Sequence, residues 1–405
     1  MRRIYVVLAL LGSVACESET SLQSGTGGSS ATTGGGAGTT SAQGGGAPTT
    51  TTAPSTGGTP GQGGAGEGGA SATSAPLAAG SAGMAGAAGA GASGGNGSAF
   101  DCGLPVPTTT GVAKPAGAPG GLKVINWAGF KGAVTYSFDD GNSTQTDHYA
   151  ELNALGVRLT FYLVTSWDGA WSPVWKQAVA DGHEIGNHTH THQAIATAED
   201  IDLGATFIKT NIGVTPLTMA SPYGDDTYRT FAEGKYLINR GAFSGLVLPN
   251  DNNDPHHLPS NMPLEDSTVE DLDSFVSAAN AGGGWIVYTI HGFSGGTEAP
   301  YMAFSFANLA ASVNNAKARG DMWLDSMVNV GAYWVSQKLF STVTATTSGA
   351  DRTYNWTLPT PFPTGKCLRV TVDGGTVKQA GKVLNWDSHG YYEISLDAGS
   401  LTISP

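Results

Sequence analysis

Between residues 122 and 340 short apolar runs alternate with stretches of helical spacing. "GAVTYSF" (Gly132–Phe138) reads as a strand closed by Asp-Asp-Gly, and "TDHYAELNALG" carries helix periodicity up to a stop at Gly156. "VRLTFYLV" (157–164) is apolar throughout, as a strand covered on both faces should be, and "SPVWKQAVADG" follows as a helix ending before Gly182. "HEIGNH" is the next strand and turn, "GWIVYTIHGF" (284–293) is another β-rich run, and "AFSFANLAASVNNAKARG" has helical spacing with a stop at Gly320. Strand, helix, strand, helix predicts an α/β fold with parallel pairing and right-handed crossovers. Polar residues recur just after the strand ends, where such folds place their chemistry.

The pattern changes twice. From about Ser341, "RTYNWTLP", "CLRVTVDGG", "TVKQAGKVLNW" and "GYYEISLDAGSLTIS" alternate over short runs broken by Gly and Asp, which predicts a small all-β module at 341–405. Residues 17–100 show no apolar period at all, being Gly, Ser, Thr and Ala with scattered Pro. Such a stretch buries too little surface to offset its ordering entropy, so a disordered linker is expected, spanning about 50 Å on average as a flexible coil.

Composition adds two exclusions and one destination. The chain has 405 residues, 60 of them Gly, and a net charge of −13. No basic stripe is available to neutralise phosphates, so nucleic acid is not expected as a partner, and nothing in the sequence points to a protein partner. At the N-terminus, Met1, Arg2 and Arg3 precede "IYVVLALLGSVA" and Cys16, a pattern of an export signal over residues 1–16. Cys16 stands where a lipoprotein signal would be processed and lipidated; ordinary cleavage after Ala15 is the alternative, Ser13 being smaller than the residue usual there. Either way the protein is expected outside the cytoplasm, reaching a membrane only through such an anchor. In an oxidising compartment the remaining cysteines, Cys102 and Cys367, are candidates for one disulfide; two free thiols are the other reading.

The candidate chemistry lies in four places. "SFDDG" ends a strand with Asp139 and Asp140, whose side chains diverge, so that one can face a cation and the other a water; a plain Asp-Gly turn is the bland reading. "HTHTH" puts His188 and His192 four apart, on one side of a helix or tight turn, with His190 pointing elsewhere. Two imidazoles and a carboxylate leave open positions on zinc, as a hydrolytic site requires. "SPYG" makes a sharp turn through Pro222 that can present a backbone N–H, and "YTIH" ends a strand at His291. His183 reads as a packed or hydrogen-bonded residue.

In this order along one α/β chain the pieces resemble the polysaccharide deacetylase family, the NodB-homology carbohydrate esterases, over about residues 122–340. The resemblance implies a distorted (β/α) barrel and a metal-dependent hydrolase that removes acetyl groups from a polysaccharide. Carried over by position, Asp140, His188 and His192 would bind the metal, zinc or another divalent transition metal, and Asp139 would be the base. Pro222 and the backbone N–H of Tyr223 would meet the substrate and its oxyanion, His291 would protonate the leaving group, and Ile290 would line the slot for the acetyl methyl. Two departures stand out. The arginine many members place two residues before the motif-three proline is Ala220 here, with Arg240 in "NRGAF" a candidate replacement. The tryptophan-bearing fourth motif is missing, and "LPNDNNDPHHLPSNMP" lies there as a polar loop to wall the cleft, with His256 and His257 expected to be solvated. An N-acetylglucosamine polymer is favoured over acetylated xylan on family breadth alone. The rival reading is a non-catalytic lipoprotein that binds glycan through a degenerate domain.

Overall fold

The computed structural model describes residues 102–296 and 299–405. The expected signal, the Cys16 anchor and the 17–100 linker lie outside the described residues.

A two-residue strand β1 (Lys123–Val124) precedes β2 (Gly132–Phe138), β3 (Thr160–Leu163), β4 (Glu184–Asn187), β5 (Thr218–Ala220), β6 (Ile238–Arg240), β7 (Trp285–Ile290) and β8 (Met322–Leu324). β2 to β8 form one parallel sheet in the order β6-β5-β4-β3-β2-β7, with β8 also paired to β2. Every residue of β2 is buried, as expected for a parallel strand covered on both faces. β2 pairs with β7 through Phe138↔Ile290, with β8 only at its first residues and with β3 only at its last.

The edges β6 and β7 are joined by residues 258–261. Leu258 bridges Arg240 and Asn261 bridges Tyr288, both in parallel sense, with Gly241 N donating to Leu258 O at 2.8 Å and Asn261 N to Val287 O at 2.7 Å. The distorted barrel therefore closes through the "LPSN" of the segment that the sequence assigned to a cleft wall. Pro259 lacks the N–H that a regular strand needs, so this stretch reads as a loop in the sequence.

The helices are α1 (Ser143–Asp147), α2 (Tyr149–Ala154), α3 (Val174–Ala180), α4 (Ala198–Phe207), α5 (Tyr228–Ala232), α6 (Val269–Gly282), α7 (Phe306–Arg319) and α8 (Met327–Phe340). The single helix expected over "TDHYAELNALG" is two, interrupted at His148 (φ −91°, ψ 10°). α6 opens with a capping box between Thr268 and Asp271 and stops at Gly283 in the left-handed region. One apolar cluster, with Phe138, Phe161, Ile290, Leu309 and Val313, fills the space between sheet and helices. A second runs from Trp285, Trp323 and Trp334 into the C-terminal strands through Leu368, Tyr392 and Ile403. Among the described residues no helix is long and apolar enough to cross a membrane.

Beyond α8 come β9 (Ala345–Ser348), β10 (Asp351–Asn355), β11 (Cys367–Thr371), β12 (Thr376–Gln379), β13 (Lys382–Val383), β14 (Tyr392–Ser395) and β15 (Ser400–Ser404). They build a five-stranded sheet, β13-β12-β15-β10-β9, and a three-stranded one, β1-β11-β14, in which β1 comes from ahead of the barrel. Arg369, 2% exposed, ties the two parts together. Its guanidinium donates to Pro105 O at 2.7 Å and Ala128 O at 2.8 Å and pairs with Glu393 at 3.1 Å. Cys102 and Cys367 form a disulfide across 265 residues of chain. Replacing both with serine is expected to lower unfolding free energy by about 2–4 kcal/mol, read as a shifted urea midpoint, because the open chain gains unfolded-state freedom.

Candidate metal and catalytic site

β2 ends at Phe138, yet Asp139 N still donates to Ile290 O at 2.8 Å, so Asp139 is fixed as rigidly as the strand. The chain then reverses through Asp140 (φ 75°) and Gly141 (φ 68°), both left-handed. Asp tolerates that region through its short polar side chain. At Gly141 a Cβ would also meet Leu163 at 2.9 Å. This reversal separates the two carboxylates.

The histidines follow β4. His188 is buried, and its Nδ1 donates to Ala220 O at 2.8 Å; a carbonyl only accepts, so Nε2 carries the lone pair. His192 is brought back by a turn, not a helix, with Thr189 and His192 at φ 69° and 56° and His192 N donating to Thr189 Oγ1 at 3.0 Å. Asp140 Oδ1 lies 3.5 Å from His188 Nε2 and 3.7 Å from His192 Nε2, and the three candidate ligand atoms are all within 4.8 Å of one another. His190 turns away to Thr165 Oγ1, and His183 accepts from Leu159 N, so neither joins them.

The electrostatics of this triad fit a cation. Asp140 Oδ1 is buried and finds no hydrogen-bond partner among the described residues. Burial, then the neighbouring Asp139, push its carboxyl up to about 7. Burial pushes His188 down to about 3 and lowers His192 as well, so both rings are neutral donors. A buried carboxylate oxygen without a donor, facing two neutral imidazoles, is a ligand set for zinc or another divalent transition metal.

Asp139 goes the other way. Its Oδ1 pairs with Arg240 Nη2, and its Oδ2 lies 3.7 Å from His188 Nε2. Burial alone would raise its pKa; the Arg240 guanidinium, with His188 and His291 behind it, outweighs burial and holds it at about 2. Arg240 is wholly buried, its Nε donates to Ser137 Oγ at 3.2 Å, and its guanidinium lies 5.1 Å from the centre of the Tyr162 ring. Ala220 is the direct register partner of Arg240 on the adjacent strand. The arginine absent at Ala220 is thus supplied one strand over, on the same face of the sheet. His291 directly follows β7, its Nδ1 buried and without a hydrogen-bond partner among the described residues, and its imidazole pKa is lowered by burial.

Tyr223, in the left-handed region at φ 57°, and buried Pro222 form the turn after β5, with the Tyr223 ring 4.6 Å from His192. Ile290 is a correction. It pairs with Phe138, is 1% exposed and packs in the helix-side cluster with Phe138 and Phe161, so it does not line a slot beside the triad. The β7 side chain on the Ser137 and Asp139 face is Thr289, whose Oγ1 donates to Ser260 Oγ at 2.6 Å. His256 bonds Tyr236 O and His257 stacks on Phe243. Both are half-buried, not fully solvated, and neither is near the triad's ligand set. Two residues were missed. Gln145 donates to Asp139 O and His291 O, and Asn142 donates to His291 O and reaches Asp140 Oδ2, together lacing the ends of β2 and β7. An amide directly behind Asp-Asp-Gly was the available signal.

Comparison with known proteins agrees with this geometry. Residues 129–237 match the family model for polysaccharide deacetylase, a span that includes Asp139, Asp140, His188, His192 and Tyr223 and stops short of Arg240 and His291. Over 99 residues, 22% of this chain, it is 37% identical to chitin deacetylase 1 of Cryptococcus neoformans var. grubii. Over 142 residues, 33% of the chain, it is 32% identical to a gellan lyase of a Bacillus species. The aligned regions span only 20% and 6% of those two proteins. Among solved structures it is similar to a family 4 carbohydrate esterase from Streptomyces lividans in complex with acetate (19% identity, 50% of this chain and 95% of that one, TM-score 0.35). The matched segment, with the motifs it contains, is similar to the polysaccharide deacetylase family.

Proposed function

We propose that this protein is a metal-dependent deacetylase that hydrolyses acetyl groups from a polysaccharide, acting on N-acetyl groups of an N-acetylglucosamine polymer in preference to O-acetyl groups of xylan. The observation that carries the reading is the convergence of Asp140, His188 and His192 with Asp139 and its arginine beside them. Asp140, His188 and His192 would hold the ion, which when bound supplies Lewis-acid polarisation and makes water a stronger nucleophile near neutral pH. Asp139, kept ionised and oriented by Arg240, takes the proton of the attacking water. The Tyr223 N–H meets the oxygen that gains charge at the acetyl carbonyl. His291, once protonated, gives that proton to the leaving nitrogen or oxygen; burial disfavours its charged form, so the proton is held only transiently. The chitin deacetylase among the relatives favours the N-acetyl preference.

The rival reading, glycan binding by a degenerate domain, drew on the alanine at position 220 and on the missing fourth motif. The ion pair between Arg240 and Asp139 removes the first of these supports. Export belongs to the proposal too, with the protein secreted or held at a membrane through lipidated Cys16, and the Cys102–Cys367 disulfide suits an oxidising compartment.

The test is acetate release by zinc-loaded full chain from N-acetylglucosamine oligomers and, in parallel, from acetylated xylan. Release from the first series is expected, with Asp139→Asn slower by about 10²–10⁴-fold, the range for losing a positioned base. Oligomer binding without acetate from either substrate would refute catalysis, and acetate from xylan alone would refute the N-acetyl preference.

A further inference from the structure

His291 stands beyond the last rung of its strand, since the register of β2 and β7 ends at Phe138↔Ile290. No hydrogen bond anchors its ring at the buried Nδ1 among the described residues, so the aim of the imidazole depends on where the backbone is held. Side chains of one short segment, residues 142–145, hold that backbone. Gln145 Nε2 donates to His291 O at 2.8 Å and to Asp139 O at 2.5 Å. Asn142 Nδ2 donates to the same His291 O at 2.8 Å, and Thr144 Oγ1 accepts from Phe293 N at 3.1 Å. Between these two points the chain passes so close that a Cβ at Gly292 would come within 2.3 Å of Thr144 Oγ1.

Gln145 is wholly buried, and both atoms that its amide reaches are carbonyl oxygens. Carbonyls only accept, so the amide nitrogen must face the pair and Oε1 must face away. There Oε1 is buried and has no hydrogen-bond partner among the described residues. A buried polar atom left in that state costs about 1–3 kcal/mol, so stability gives little reason for a glutamine at this place. Satisfying His291 O does not account for it either, because Asn142 already donates there. What the glutamine adds is a link. One nitrogen holds the carbonyls of Asp139 and His291 together, and these are the two residues between which the proton transfers are divided.

Resting on the deacetylase reading above, we propose that Gln145, aided by Thr144, is a positioning residue that fixes His291 relative to Asp139, so that the acid faces the leaving atom while the base faces the water. The proton on His291 passes to the leaving nitrogen or oxygen as the bond from that atom to the acetyl carbon breaks. A ring held about 1 Å off line delivers it poorly, a misplacement that costs up to about 100-fold in rate. The loss depends on the leaving atom. A sugar amine or alkoxide is basic and needs the proton, whereas a nitrophenolate departs without it.

The test uses the zinc-loaded full chain with N-acetylglucosamine oligomers and acetylated xylo-oligosaccharides as sugar substrates, and 4-nitrophenyl acetate as an ester whose leaving group needs no acid. In Gln145→Met, kcat on the sugar that is deacetylated is expected to fall about 10–100-fold with KM changed by less than about twofold. Hydrolysis of 4-nitrophenyl acetate and zinc affinity should stay at the parent level. Thr144→Ala, which leaves the bonds of Gln145 in place, should show a smaller loss with the same selectivity, and Thr144→Ser, which keeps the hydroxyl, should show none. If Gln145→Met does not fold, the Thr144 pair carries the same test. Equal loss on sugar and aryl ester, or no loss on the sugar, would overturn this inference and leave the deacetylase reading standing. No acetate from either sugar series with the parent chain would overturn both.

Discussion

Arg240→Ala will slow acetate release by about 100-fold or more, the cost of letting a reacting group drift from its place, and Ala220→Arg in the same chain will restore part of it. Arg240 is wholly buried against Asp139, Ser137 and the Tyr162 ring. Deleting it leaves Asp139 as a buried charge without its partner, which costs about 3–5 kcal/mol and calls for a measurement of folding alongside activity. The second substitution separates the two effects. Positions 220 and 240 are register partners on adjacent parallel strands, so an arginine at 220 projects from the same face into the space that Arg240 vacates. Recovery of kcat in the double variant shows that a guanidinium beside Asp139 is what matters. A folded double variant no faster than Arg240→Ala would assign Arg240 to stability alone.

The second large effect concerns acid. Without a cation, Asp140 has its carboxyl pushed up to about 7 by burial and by Asp139, while His188 sits near 3 and His192 is also lowered. The proposed metal would bind the carboxylate, so a proton on Asp140 would compete directly. Above pH 7 the carboxylate is ionised and cation affinity should be level; as pH falls below about 7 affinity should drop about tenfold per pH unit, one proton being displaced per ion bound. His188, near 3, adds no steeper dependence in that range, and the lowering of His192 by burial works in the same direction. Titrations with zinc or cobalt from pH 5 to 8 would measure this slope. A flat profile would mean that Asp140 is not a ligand; a slope of two would mean that a histidine also has to lose a proton.

The site was legible where chemistry is local. Asp-Asp-Gly and the spaced histidines are contiguous, and left-handed Asp140, Thr189 and His192 satisfy their turns with short polar side chains or local bonds. Parallel strands announced themselves as apolar runs. The same property hid which way each residue faces. "WIVYTI" is apolar on both faces, so nothing in its pattern separates Ile290, turned to the helices, from Thr289, turned to the arginine side. The barrel closure at 258–261 was hidden because Pro259 and polar neighbours resemble a loop, and its two bridges depend on both flanking strands being in place. Arg240 was only a candidate, since its role rests on a register between β5 and β6 that neither strand encodes alone.

The most direct measurement is calorimetric titration of the metal-stripped full chain with zinc at pH 7.5, repeated on Asp140→Ala and His192→Ala. One ion per chain is expected for the parent protein, with affinity lost by about 100-fold or more in each variant, since each removes one of the three proposed ligands. No binding to the parent, or binding that both variants leave unchanged, would contradict a metal centre at the end of β2.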